Sequence, residues 1–109
     1  MELQIGSKAP YFSAPDEKGT IRTLKDFVGK WLLLYFYPRD FTPGCTTEAC
    51  EFRDAFAELK KVVTVVGVST DSVASHQRFV KKHVLPFTLL SDHDKEMVTA
   101  FGTNNIIFA

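Results

Sequence analysis

Only two cysteines, Cys45 and Cys50, occur in 109 residues, which excludes the dense disulfide framework of a small secreted domain and points to cysteine chemistry. Charge of one sign is also lacking: 13 Lys plus Arg stand against 13 Asp plus Glu, and no segment is strongly basic. Nucleic-acid and anionic-membrane partners therefore have no electrostatic support, leaving a small molecule or another protein. The longest apolar run, Trp31 to Tyr37, is far too short for a bilayer span. Met1-Glu2-Leu3-Gln4-Ile5-Gly6 has no charged region followed by an apolar one, so a soluble, non-secreted, cytoplasmic chain is expected. Repeats, low-complexity tracts and linkers are missing too.

What is present suits one core. At 45% hydrophobic and 13% aromatic, the chain can bury one domain over residues 1–109 but not two. Its ten phenylalanines fall mostly at helix or strand spacings and read as packing residues. A polar break at Asp16-Glu17-Lys18-Gly19 divides Tyr11 to Leu24 into a hairpin. Trp31 to Tyr37 and Val62 to Val68 read as strands covered on both faces. Between them Cys45, Ala49, Phe52, Phe56 and Leu59 share one helix face, giving a βαβ unit with parallel strands and a right-handed crossover. Asp71-Ser72 caps a second helix carrying Val73, His76, Phe79, Val80 and His83 until Pro86 interrupts it. Phe87 to Leu90 is a short strand. Asp92 to Phe101 is a third helix, with Met97, Ala100 and Phe101 inward and Gly102 as its stop. Lys60-Lys61 and Lys81-Lys82 lie near helix C-termini, where cations are favoured. After a turn at Asn104-Asn105, Ile106-Ile107-Phe108 reads as a strand beginning without a partner.

The stretch Pro38-Arg39-Asp40-Phe41-Thr42-Pro43-Gly44-Cys45 joins the C-terminal end of the first buried strand to a helix, the edge where α/β sheets place ligand sites. With Thr42 as N-cap, Pro43 takes the first helical position and Cys45 falls in the first turn. Free N–H groups and the positive end of the helix dipole favour a thiolate there. Gly44 lets a small substrate approach the backbone, and the Thr42 hydroxyl adds a donor. Such a site can hold a peroxide by its oxygens and leave a sulfenic acid on Cys45.

Pro38, Thr42 and Cys45 match the Pro-x-x-x-Thr-x-x-Cys signature of peroxiredoxins. Cys50, five residues on, resembles the resolving cysteine of the bacterioferritin-comigratory or Q-type subfamily. Similarity runs from Ile5-Gly6-Ser7-Lys8-Ala9-Pro10 through Gly67-Val68-Ser69, Asp71 and Leu85-Pro86-Phe87 to Ser91-Asp92. The resemblance implies an α/β, thioredoxin-like fold: an N-terminal β-hairpin, a central, mostly parallel sheet flanked by helices, and a truncated C-terminal part. It implies a peroxidase acting on hydrogen peroxide and organic hydroperoxides without metal, haem or other cofactor, recycled by thioredoxin or a similar dithiol. In that pattern Cys45 is peroxidatic, Cys50 resolves it as an intramolecular disulfide, Thr42 hydrogen-bonds the peroxide, Pro38 shields the site from water, and Glu48 orients the supporting network. Helical positions five apart lie roughly 8–9 Å apart, beyond the usual limit of about 7 Å for a disulfide, so the helix must unwind locally before the cysteines join.

One element of the pattern is missing. The family supplies an arginine late in the chain, and none follows Arg78; Arg22, Arg39, Arg53 and Arg78 lie in the wrong part of the pattern to take its role. Family members also continue through further elements, so this chain is expected to react slowly and to be monomeric or to self-associate weakly through its C-terminal edge. His76, His83 and His93 have no metal-site spacing, and His76 and His83, seven apart on one helix face, read as half-buried packing residues. Two rival readings remain. A thioredoxin-like dithiol oxidoreductase would have two residues between its cysteines where this chain has four. An inactive peroxiredoxin fragment acting as an interaction module would consume no peroxide.

Overall fold

The fold comes from a computed structural model that describes residues 9–27, 29 and 31–102, and residues 106–108 as backbone. The family-like Ile5-Gly6-Ser7-Lys8 stretch and the Asn104-Asn105 turn lie outside these residues. The polar break at Asp16–Gly19 does make a hairpin, whose strands β1 (Ser13–Pro15) and β2 (Ile21–Thr23) pair antiparallel. Asp16 closes it: Oδ1 accepts from the amides of Lys18 and Thr20 at 2.8 and 3.0 Å, and Gly19 turns the chain at φ +82°. A 3₁₀ turn over Leu24–Phe27 follows.

The strand β3 (Trp31–Phe36), helix α1 (Pro43–Leu59) and strand β4 (Val63–Ser69) form the βαβ unit, with Trp31 opposite Val63 and Phe36 opposite Val68 in parallel register. Helix α2 (Val73–His83) returns the chain to β5 (Thr88–Ser91), parallel to β4. Helix α3 (Glu96–Phe101) precedes β6 (Ile106–Phe108), and the sheet order is β5-β4-β3-β6. The run Trp31 to Tyr37 is continuously apolar because its alternate side chains meet different layers. Leu32, Leu34 and Phe36 pack with Phe12, Met97 and Phe101 on one face; Leu33, Tyr35 and Tyr37 pack with Ala49, Phe79 and Phe87 on the other. Burying each large apolar side chain contributes about 1.5–3 kcal/mol. Among the described residues no helix is long and apolar enough to cross a membrane.

Four readings need correction. Helix α2 stops at His83, before Pro86, because Val84 turns left-handed at φ +50° and its amide returns to the Val80 carbonyl. Helix α3 starts at Glu96, not Asp92: residues 92–95 form a turn, and the Asp92 carboxylate caps the helix from outside by accepting from the amides of Met97 and Val98 at 2.9 and 3.0 Å. With that start, Met97 and Phe101, four apart, define the inward face and Ala100 is exposed. The segment Ile106–Phe108, read as partnerless, pairs antiparallel with β3, Leu34 opposite Ile107.

Gly67 sits in β4 between its register partners Tyr35 of β3 and Leu89 of β5, whose side chains close over it. A Cβ there would lie 2.7 Å from Leu89 Cδ2 and 2.8 Å from both Cζ and Oη of Tyr35, whereas one on Gly44 would meet nothing within 4 Å. Gly67→Ala should therefore destabilise the chain by about 1–3 kcal/mol in urea unfolding. Gly44→Ala, in a helix, should leave stability unchanged or raise it by up to about 1 kcal/mol. Equal effects of the two would contradict this packing.

Candidate active site

The loop between β3 and α1 is fastened from below. Tyr37, still paired to β4 through its amide and the Val68 carbonyl, donates its hydroxyl to Asp40 Oδ1 at 2.6 Å. Asp40 Oδ2 receives the Ser75 hydroxyl at 2.8 Å and faces His76 Nδ1 at 2.7 Å. The other ring nitrogen of His76, Nε2, meets the Leu90 carbonyl at 2.9 Å. Both ring nitrogens of His76 thus face oxygen acceptors, the Asp40 carboxylate on one side and the Leu90 carbonyl on the other. The backbone joins in: the Asp40 amide donates to Asp71 Oδ2 at 2.7 Å, which also receives the Ser69 hydroxyl, and Ser91 Oγ donates to the Asp71 carbonyl.

The half-buried packing role read for His76 is thus replaced by a fully buried polar one, while His83 is half-buried as read. Burial alone would raise the pKa of Asp40. Hydrogen bonds from His76, Tyr37 and Ser75, with the attraction of His76, outweigh it and hold the carboxyl below its ordinary range. Burial, then the negative charge of Asp40, pushes the Tyr37 phenol up, so its hydroxyl remains a donor. Ligand-type atoms of Asp40, Asp71 and His76 lie within 4.8 Å of one another, a cluster that spacing did not reveal, and hydrogen bonds already engage them.

From this anchor the chain turns into the helix. Phe41 takes the left-handed conformation at φ +66°, unusual for a bulky residue, and packs its ring edge-on against Phe79 at 5.0 Å. At 42% exposure it departs from the core role read for the phenylalanines. Thr42 is the N-cap and Pro43 opens α1, as expected, but the Thr42 hydroxyl bonds the Arg39 carbonyl at 3.2 Å instead of a helix amide. The first intrahelical bond of the turn runs from the Thr46 amide to the Thr42 carbonyl, which leaves the Gly44 and Cys45 amides without helical partners.

Cys45 is buried at the third helical position and Cys50 is half-buried in the same helix, both as free thiols. Gly44 and Pro38 are exposed and Thr42 is half-buried, all within the same short loop and first turn. Glu48, one turn after Cys45, is half-buried; burial, then Glu51, raises its pKa. The hydrogen-bond network beneath the loop centres on Asp40, which the sequence reading had not singled out. His83 was also missed as a neighbour of chemistry: its Nδ1 lies 3.9 Å from Cys50 Sγ. Arg53 donates to the His83 carbonyl at 2.8 Å, and Arg22 pairs with Asp16 and Asp26 in the hairpin.

The AhpC/TSA family model matches residues 5–106. The chain belongs to this family. Its relatives are peroxiredoxins of the Bcp and Q types. It is 49% identical over 104 residues to peroxiredoxin Bcp of Bacillus subtilis, covering 93% of this chain and 65% of that one. The crystal structure of peroxidoxin BcpB from Mycobacterium tuberculosis superposes with a TM-score of 0.85 at 37% identity, over 89% of this chain and 64% of that one. The bacterioferritin comigratory protein of Xanthomonas campestris, described for its alkyl peroxide reduction activity, gives 0.81 at 36% identity, over 89% and 67%. The chain spans about two thirds of the length of the bacterial peroxiredoxins it matches. These likenesses agree with the thioredoxin-like α/β reading.

Removing the Asp40 carboxylate would leave His76, Tyr37 and Ser75 without their shared acceptor. Asp40→Ala should cost about 3–5 kcal/mol of stability at pH 7, and Asp40→Asn less. A carboxyl lowered on folding contributes its stability above the unfolded value, about 3.9, and loses it as pH falls through the folded value. The stability gap between the parent and Asp40→Asn should therefore shrink below about pH 4 in urea unfolding; a gap constant with pH would contradict the stabilised Asp40 carboxylate.

Proposed function

We propose that this chain is a thiol peroxidase in which Cys45 reduces hydrogen peroxide or an organic hydroperoxide. The carrying observation is the setting of Cys45: a thiol in the first turn of α1, beside amides with no helical partner, next to an exposed glycine, at the C-terminal edge of the parallel sheet. Unpartnered amides and the helix dipole favour the thiolate and can hold a peroxide oxygen. Thr42 contributes its hydroxyl, with rotation from the Arg39 carbonyl, and Pro38 borders the opening. The thiolate attacks the nearer oxygen, the O–O bond breaks, and the leaving alkoxide or hydroxide takes a proton. Cys45 becomes a sulfenic acid.

Cys50 then attacks the Cys45 sulfur, the S–O bond breaks, and water leaves. Thioredoxin or a similar dithiol reduces the resulting disulfide. No metal or organic cofactor enters this scheme. Glu48 borders the thiol face of α1 and adds to the field around it. The protein acts in the cytoplasm, and any self-association is weak and uses the outer edge of β6.

Cys45→Ser should abolish peroxide consumption with thioredoxin as reductant. Cys50→Ser should reduce a single equivalent and leave a sulfenic acid that a dimedone-type probe labels. Equal loss of the first oxidation step in both variants would overturn the assignment of roles.

Because α1 is continuous through both cysteines, the disulfide needs a local break in the helix. Oxidation should lower helical circular dichroism and speed amide exchange between residues 43 and 52. Unchanged signals in a verified Cys45–Cys50 disulfide would contradict this.

A further inference from the structure

The two thiols of α1 sit in unlike surroundings. Cys45 has the open first turn, whereas Cys50 lies deeper in the helix, where amides bond to carbonyls one turn back and none is free to stabilise a thiolate. What meets Cys50 instead is an imidazole from another element. His83, the last residue of α2, brings Nδ1 to 3.9 Å from Cys50 Sγ, a long contact between two half-buried groups.

That ring is held by more than one contact. It packs edge-on to Phe79 at a centroid distance of 5.2 Å, and Phe41 lies 6.4 Å away. Arg53, three residues after Cys50, donates to the His83 carbonyl at 2.8 Å, tying the end of α2 back to α1. Immediately after it, Val84 takes the left-handed conformation that ends the helix. Strained backbone, an interhelical hydrogen bond and aromatic packing all converge on the residue facing the thiol.

We propose that His83 is the base that removes the proton of Cys50 for the resolving step. This rests on the reading of Cys50 as the resolving thiol. With its own proton on Nε2, the ring accepts the thiol proton at Nδ1, and Cys50 becomes the thiolate that nucleophilic attack on sulfur requires. The thiolate attacks the Cys45 sulfur already oxidised by a hydroperoxide: an S–S bond forms and the S–OH bond breaks. The departing hydroxide takes a proton from the imidazolium and leaves as water, so His83 ends neutral. Proton removal precedes the opening of the helix, so the segment unwinds with its nucleophile already charged.

The full 109-residue chain, mixed rapidly with one equivalent of hydrogen peroxide and quenched with a dimedone-type probe, yields separate rates for formation and loss of the Cys45 sulfenic acid by mass spectrometry. In His83→Asn, whose amide can accept a hydrogen bond but not a proton, the ratio of loss to formation should fall about 10- to 100-fold. His83→Ala should show the same fall, and added imidazole should restore part of it. Circular dichroism identifies the folded samples that are compared. A ratio unchanged or raised in the folded variants would overturn the inference, because a histidine that merely pins Cys50 in the helix would speed resolution when removed. If the parent forms no sulfenic acid, the peroxidase reading falls as well; if it forms one that Cys50→Ser loses equally fast, the role of Cys50 falls and that of His83 with it.

Discussion

A carboxylate taken out of water needs partners of matching charge and geometry, and Asp40 finds them at the end of β3 and in the first turn of α2. Its desolvation alone would cost several kcal/mol. The hydroxyls of Tyr37 and Ser75 and the ring of His76 offset that cost only when the end of β3 and the start of α2 stand in their observed places, while His76 itself reaches the Leu90 carbonyl of β5. A hydrogen bond from the Asp40 backbone to Asp71 adds the link after β4. Against a well-packed apolar alternative such a buried group adds little net stability, but once present it is costly to strip of its partners. Here the arrangement fixed is the loop that starts α1, and through the left-handed Phe41 and the cap at Thr42 it sets where Cys45 stands.

The sheet provides the platform for this loop. Both neighbours in its parallel part, β3 with β4 and β4 with β5, end at the same edge, where Tyr37, Asp71 and Ser91 gather. On one face the hairpin and α3 bury Phe12, Met97 and Phe101; on the other α1 and α2 bury Ala49 and Phe79. Apolar packing thus presses α1 and α2 against one layer. The polar knot at the edge then determines their relative register. Tyr35, stacked on Phe52 at 4.6 Å, keeps a buried hydroxyl next to Gly67 that has no partner among the described residues, so close packing prevailed over hydrogen bonding at that point.

Much of this was legible along the chain because it is local. Continuous apolar runs announced β3 and β4, the four-and-three spacing announced the buried face of α1, and Thr42-Pro43 announced where that helix begins. The position of Cys45 in the first turn of α1 was readable for the same reason, whereas its burial in one cluster with Leu33, Tyr35 and Phe79 was not. Contacts between distant segments were not. Asp40 and His76 are 36 residues apart, and a lone histidine on an apolar face gives no sign that a carboxylate lies under it. His83 and Cys50 are 33 apart, and the seven-residue spacing that puts His83 on the face of His76 carries no sign of a thiol in α1. The start of α3 was misread because Asp92 caps from beyond a turn, and β6 found its partner across the sheet, which periodicity does not encode.

Carrying two thiols within one helix has a thermodynamic side. A bond between Cys45 and Cys50 would form only with loss of helical hydrogen bonds and of the packing that Ala49 and its neighbours make against the sheet. That loss is charged to the oxidised state alone, since the dithiol keeps the helix whole. Each 1.4 kcal/mol so forfeited raises the reduction potential of the couple by about 30 mV. The conformational preference of α1 would therefore make such a disulfide a better electron acceptor than an unstrained one, and refolding of a few helical residues would become part of the driving force for its reduction.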